Sequence, residues 1–437
     1  MSSKDIKTHT FANGFHVVYQ KSNQSNPLTS IYILCNVGSA YEPVSIRGGS
    51  HLVEHMCFKG TTAIHNPKKL LLQYNKMGAN INAYTEKRYT SYVLKAHDTH
   101  TEQCLTTLSD MLLHSTFSKK EFEKERRVVV EETIRLKDDE QDLLQTQMDT
   151  VYFKGSSYEY PIDAKEYHAK HLCYEDIYEW YHWFYHPSNM ICSIVTNHSF
   201  SDICTLLSKT DFATMTDNGY RRCLPKAALY PSLQLTSIKD MPIQYISKKG
   251  VSANTLILGF RTCSRYSKDK YALDVLQSVL NGMSGRLFTL LRTNHGLTYR
   301  STCDTLYHEH TGFLQIYLQT DPKKLEEVVS IVTGLIASLR KDGVTAEEIV
   351  VAKEKLKGQI LVSMQSIDKI AEYNGVECAL SPHCEFVPYE KVYDKCIAPI
   401  TKKCVQDVIE RYLCASNQVM GLLYDGVHSK NKLEKII

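Results

Sequence analysis

Apolar positions along the chain switch between two spacings. Phe15, Val17 and Tyr19 alternate after the turn formers Ala12-Asn13-Gly14, which predicts a hairpin over residues 6–19. Ser30-Ile31-Tyr32-Ile33-Leu34 reads as a buried strand. The period lengthens to that of a helix over residues 68–77, 101–113 and 119–136. Short strands separated by long helices predict an α+β architecture with helices packed on sheets.

The pattern recurs once. Thr255-Leu256-Ile257-Leu258-Gly259-Phe260 answers to the run at Ser30. Gln406-Asp407-Val408-Ile409, followed by Tyr412 and Ala415-Ser416-Asn417-Gln418-Val419, answers to Glu175-Asp176-Ile177 followed by Tyr185-His186-Pro187-Ser188-Asn189-Met190. Asn417 follows Asn189 at nearly the interval at which Asp407 follows Asp176, as a duplicated unit requires. Residues 218–249 lack a period and carry Pro225, Pro231 and Pro242, as a linker or first-strand region would. The expected partition is therefore 1–217, a linker over 218–249, and 250–437.

The chemistry concentrates in Gly48-Gly49-Ser50-His51-Leu52-Val53-Glu54-His55-Met56-Cys57-Phe58. On a helix, residues 51, 54 and 55 share one face, while Leu52, Val53, Met56 and Cys57 are apolar, so the one polar stripe lies inside the protein. A metal gives three ionisable groups a reason to be there: imidazoles at i and i+4 both reach a zinc ion, with Glu54 beside a water on it. Two histidines call for a third ligand, often a carboxylate. In the helical stretch 121–134, Glu132 shares the apolar side with Val128, Val129 and Glu125, whereas Glu131 sits with Lys124, Arg127 and Arg135. The core-facing Glu132 is favoured, with Glu131 the open alternative.

Charge and cysteine usage narrow the classes. Lys plus Arg number 51 against 48 Asp plus Glu, and the basic stretches interleave with acids, so no nucleic-acid partner is expected. The 14 cysteines are scattered without a C-x-x-C pair, which fits a reducing compartment and no disulfide framework. No signal, transit or membrane-spanning segment is evident, so a cytoplasmic location is expected. G-x-S-x-G, P-loop and G-x-G-x-x-G motifs are absent, and histidines such as His168/His171 and His308/His310 read as packing or surface residues.

With H-x-x-E-H at residues 51–55, the chain resembles the pitrilysin/insulinase zinc peptidases, the inverzincins, and within them the short two-domain type related to the mitochondrial processing peptidase beta subunit. The resemblance implies two similar domains, each a mainly antiparallel sheet packed with helices, with one Zn2+ per chain in the first. It implies a metalloendopeptidase acting on peptides or unfolded polypeptides, with Glu54 as catalytic base, His51, His55 and Glu132 on the metal, and Glu125 supporting the ligands from behind. Asn82 and Ala83, within Met77-Gly78-Ala79-Asn80-Ile81-Asn82-Ala83-Tyr84-Thr85, match the family's substrate-binding edge strand. Arg292 and Tyr299 match its R-x6-Y element, which contacts substrate; spacing alone reads them as a surface Arg and a buried Tyr. A homodimer, or a heterodimer with a related chain, is implied. The alternative is a peptide-binding scaffold subunit without activity. Two departures stand out: Ser50 where a small apolar residue is common, and Ala164 where a glycine often stands.

Overall fold

The computed structural model describes residues 6–22, 24–136, 138–216, 243–248, 250–251 and 253–424. The first sheet has six strands: β1 (Lys7–Thr10), β2 (His16–Lys21), β3 (Leu28–Cys35), β4 (Asn80–Thr85), β5 (Thr90–His97) and β6 (Met190–Thr196). They are ordered β1-β2-β6-β3-β5-β4. The second sheet is built from β7 (Gln244–Ser247), β8 (Asn254–Thr262), β9 (Thr298–Tyr307), β10 (Gly312–Thr320) and β11 (Gln418–Tyr424), ordered β7-β11-β8-β10-β9. The helices that matter below are α1 (Gly49–Cys57), α2 (Pro67–Lys76), α3 (Thr101–Leu113), α4 (Lys119–Leu136) and α5 (Glu140–Tyr152).

The expected hairpin is present, β1 pairing antiparallel with β2 around Gly14 at φ 90. The three expected helices appear as α2, α3 and α4. The duplication is visible in the pairing: β3 and β8 are inner strands of their sheets, and each sheet is antiparallel except for one parallel pair, β2 with β6 and β7 with β11. Both copies of the helix–turn–strand segment close alike. Asn189 donates its amide to the Phe184 carbonyl at 3.0 Å, and Asn417 to that of Tyr412 at 3.0 Å, so the repeated asparagine ties the helix end to the entering strand in each copy.

The described chain forms two compact units. One takes residues up to Arg135, those from Tyr160 to Thr216, and Val362–Tyr389. The other takes Leu136–Glu159, residues from Ile243 to Leu361, and those from Glu390 to Tyr424. Each therefore includes a helix encoded in the other half: Ile367–Leu380 packs on β3 and β6, and α5 packs on β8 and β11. The linear partition 1–217 and 250–437 differs at these stretches, because a periodic pattern shows that a helix has an apolar face but not which sheet receives it. Most of the expected linker, 218–249, lies outside the described residues; its described end holds β7.

In the first sheet the alternation of side chains feeds two cores. Ile31, Ile33 and Cys35 face α1, α3 and helix Tyr174–Phe184, while Tyr32, Leu34 and Val18 face Ile367, Ile370 and Ala371. Among the described residues, no helix is long and apolar enough to cross a membrane. Among the described residues the expectation of unpaired cysteines is overturned at one place, where Cys378 and Cys384 form a disulfide. They meet because His383 and Cys384 take left-handed backbone at φ 59 and 57, a turn that sequence spacing does not announce.

Candidate metal centre

The helix carrying the histidines is seated by its glycines. A Cβ on Gly49 would come within 2.6 Å of the Ile177 side chain, and Gly48 holds φ +86 against Ala164. Glu42 caps the helix, accepting hydrogen bonds from the backbone N–H of Gly48 and of Ser50 at 2.7 Å each, so its charge faces the positive end of the helix dipole. Ser50, unexpected in a buried helix, accepts from the Trp180 indole at 3.3 Å.

Burial pushes the Glu42 carboxyl up to about 7, against the two backbone bonds that favour its charge. A carboxyl raised in the folded chain above its ordinary value of 4.5 stabilises the fold below that value, and the contribution is lost as pH rises to about 7. Glu42→Gln should flatten the pH dependence of the urea unfolding midpoint between pH 5 and about 7. The cost of setting an NH2 against a backbone N–H, about 1–3 kcal/mol, should be greatest near pH 5 and shrink toward pH 8, where the wild-type carboxyl has lost its stabilising contribution. An unchanged slope would show that Glu42 is not the titrating group.

Leu52, Val53, Met56 and Cys57 are fully buried, which leaves the stripe of His51, Glu54 and His55 as the polar face of α1. The His51 and His55 Nε2 atoms lie 3.2 Å apart. From α4, Glu132 Oε2 comes within 3.9 Å of His51 Nε2 and 3.7 Å of His55 Nε2. Glu131 is exposed. The separations suit a tetrahedral ion with bonds of roughly 2.0–2.2 Å to nitrogen and oxygen.

Each histidine is held from behind. His55 Nδ1 meets Glu125 Oε2 at 3.1 Å, and Lys59 Nζ holds the other Glu125 oxygen at 2.8 Å. His51 Nδ1 meets Asp163 Oδ1 at 3.1 Å. With His55 Nδ1 hydrogen-bonded to Glu125 and His51 Nδ1 paired with the Asp163 carboxylate, the Nε2 atoms of both rings converge on the space beside Glu132. Two ring nitrogens and a carboxylate facing one another need a cation, and this donor set of two imidazoles and one carboxylate fits zinc.

The electrostatics agree with that arrangement. Burial raises the Glu54 carboxyl, opposed by a 2.6 Å hydrogen bond from Thr85 Oγ1 and by both histidines. For His51, burial favours the neutral ring but is outweighed by Asp163, Glu54 and Glu132, so its pKa is raised. Burial would raise both Glu125 and Asp163; the bonds from His55 and Lys59 to the first, and from His51 to the second, hold them low instead.

The structure thus brings together His51, Glu54, His55, Glu125 and Glu132. Asn82 and Ala83 lie on β4, the edge strand of the first sheet, whose last residue is the Thr85 that holds Glu54. Ala83 N–H donates to its neighbour's Asn82 Oδ1 at 2.9 Å. Arg292 and Tyr299 belong to the second unit: the Arg292 guanidinium lies 5.3 Å over the Phe288 ring, and Tyr299 is 70% exposed rather than buried. Sequence reasoning missed Asp163, Thr85 and Glu42. Asp163 precedes Ala164, which holds φ 59, so the departure from glycine marked a real left-handed position next to a site residue.

Residues 17–164 match the family described as Insulinase (Peptidase family M16), and residues 171–356 match the Peptidase M16 inactive domain. A Bacillus subtilis protein named "Uncharacterized zinc protease YmxG" is 30% identical over 371 residues, covering 85% of this chain and 87% of that protein. "Uncharacterized zinc protease ML0855" of Mycobacterium leprae is 24% identical over 337 residues, covering 77% of this chain and 74% of its own. Among solved structures, a protease from Helicobacter pylori superposes with a TM-score of 0.87 at 19% identity, covering 96% of this chain and 99% of that one. A peptidase M16 inactive domain from Pseudomonas fluorescens superposes with a TM-score of 0.84 at 17% identity, covering 98% and 99%.

Proposed function

Because this chain belongs to the insulinase family of peptidases, M16, we propose that it is a zinc-dependent endopeptidase acting on peptides or unfolded polypeptide segments. In this reading His51, His55 and Glu132 bind the metal and Glu54 is the general base. The observation that carries it is the convergence of two imidazole Nε2 atoms and the Glu132 carboxylate beside a buried carboxyl whose pKa is raised. Zinc, when bound, polarises the scissile carbonyl and acidifies water.

The chain's own groups do the rest. Glu54 takes the proton of the attacking water and passes it to the leaving amine, a task that suits a carboxyl raised by burial above its ordinary value. Thr85 fixes the carboxylate and joins it to the end of β4. An extended substrate adding to the open edge of β4, with Asn82 and the backbone of Ala83 as partners, would then run up to Glu54. Glu125 and Asp163 orient the ligand rings.

Asp163→Ala should weaken zinc binding by roughly 10–100-fold while leaving the fold intact, as read by chelator competition. An unchanged affinity would remove Asp163 from the site. Arg292 and Tyr299, both exposed, are free to meet substrate or a second chain. In the homodimer we propose, they close on the partner's metal and help hold the oxyanion. A single-chain mass by light scattering at full activity would refute that arrangement. The test of the whole reading is a quenched-fluorescent peptide assay with elemental analysis. Cleavage should stop with a chelator and return with zinc; cleavage that survives metal removal would overturn it.

A further inference from the structure

On the other face of the first sheet, a second set of metal-ligating atoms converges. His16, Val18 and Gln20 project from the same side of β2 toward helix Ile367–Leu380. That helix is pinned in register: Asn374 donates to Gln20 Oε1 at 2.7 Å, and Ser193 donates to the Ala371 carbonyl at 2.7 Å. Gly375 leaves no room for sliding, since a Cβ there would come within 2.6 Å of Leu34. One turn further along the helix stripe is Cys378, and the left-handed residues His383 and Cys384 fold the chain back to bring the Cys384 sulfur beside it. A ring nitrogen of His16 and the sulfurs of Cys378 and Cys384 all lie within 4.8 Å of one another.

The disulfide accounts for the sulfurs but not for the histidine. His16 Nδ1 is engaged by Thr10 Oγ1 at 2.8 Å, whereas Nε2 is buried without a hydrogen-bond partner. Such a group is destabilising unless something binds it. With Nδ1 protonated toward the threonine, Nε2 presents a lone pair, the form in which imidazole ligates a metal.

We propose that the reduced chain binds a second zinc(II)-class ion through His16, Cys378 and Cys384, and that the disulfide is the metal-free, oxidised state of the same site. The donor set is two thiolates and one imidazole, which suits a soft or borderline d10 cation; a water completes four-coordination at this partly exposed position. The exchange balances with a small thiol as reductant. Two thiols give two electrons to the S–S bond and two protons to the sulfurs and leave as their own disulfide; the metal then displaces those two protons as thiolates form. The same three residues therefore hold either a covalent link or an ion, and the redox state decides which.

Cobalt(II) distinguishes this site from the first, because only thiolate ligands give a sulfur-to-cobalt charge-transfer absorption and His51, His55 and Glu132 offer no sulfur. The full chain, reduced with a phosphine and freed of excess reductant, should develop that absorption on titration with Co2+ and lose it when two equivalents of Zn2+, enough for both centres, are added. The oxidised chain should not develop it. Cys378→Ser and Cys384→Ser should each abolish the band, and His16→Gln should weaken cobalt binding by about tenfold or more. The proposal is overturned if the reduced chain gives no band, or if the band survives unchanged in His16→Gln, which keeps both cysteines and so tests the site even where a serine variant fails to fold. Neither result depends on whether the first centre hydrolyses peptides.

Discussion

Glu54→Gln should retain zinc and lose peptide hydrolysis by roughly 10²–10⁴-fold in kcat, the range that a positioned general base supplies. The amide keeps the shape of the carboxyl and can still accept from Thr85 Oγ1, so the helix and the neighbouring ligands stay in place. What it cannot do is take a proton. Metal content by elemental analysis and turnover of a fluorogenic peptide, measured on one preparation, separate the two properties. Normal turnover in the variant would show that another group is the base. Loss of zinc along with activity would show that Glu54 serves the metal instead.

The second large effect is expected at Glu132. Its carboxylate stands 3.7–3.9 Å from the two imidazole Nε2 atoms, so Glu132→Gln replaces an anionic ligand with a neutral amide and leaves two histidines to hold the ion. Zinc affinity should fall by more than the roughly 10–100-fold that follows loss of an outer partner, and activity should fall with it. Glu131→Gln is the paired control, because Glu131 is exposed on the same helix. Chelator competition on both variants decides between the two neighbouring glutamates. Zinc loss in the Glu131 variant with retention in the Glu132 variant would reverse the assignment.

Much of this site was legible because helical periodicity is local. Residues 51, 54 and 55 meet through their spacing alone, and Glu132 was favoured over Glu131 because it shares a side of α4 with Val129, Val128 and Glu125, of which Val129 and Glu125 are buried while Val128 is exposed. The duplicated strand and the repeated asparagine were legible for the same reason. The groups that reach the site from elsewhere were not. Asp163 arrives from a loop without periodicity, held by the Lys87 ammonium on the Tyr160 carbonyl and by the Arg47 guanidinium 3.1 Å over the Tyr160 ring. Glu42 caps α1 from a turn outside the helix. The meeting of His16 with Cys378 and Cys384 depends on a helix crossing to the first sheet from the far half of the chain.

That crossing also orders events during synthesis. One face of the first sheet is covered once the chain has passed Ile203, Leu207 and Phe212, yet Tyr32, Leu34, Val18 and Ile191 stay bare on the other until Ile367, Ile370 and Ala371 leave the ribosome. A nascent chain stopped midway thus carries an open apolar surface, which invites chaperones or aggregation. Cutting the gene between the halves would yield two fragments, each lacking the helix that roofs its own sheet, and neither would be expected to stay dissolved without the other.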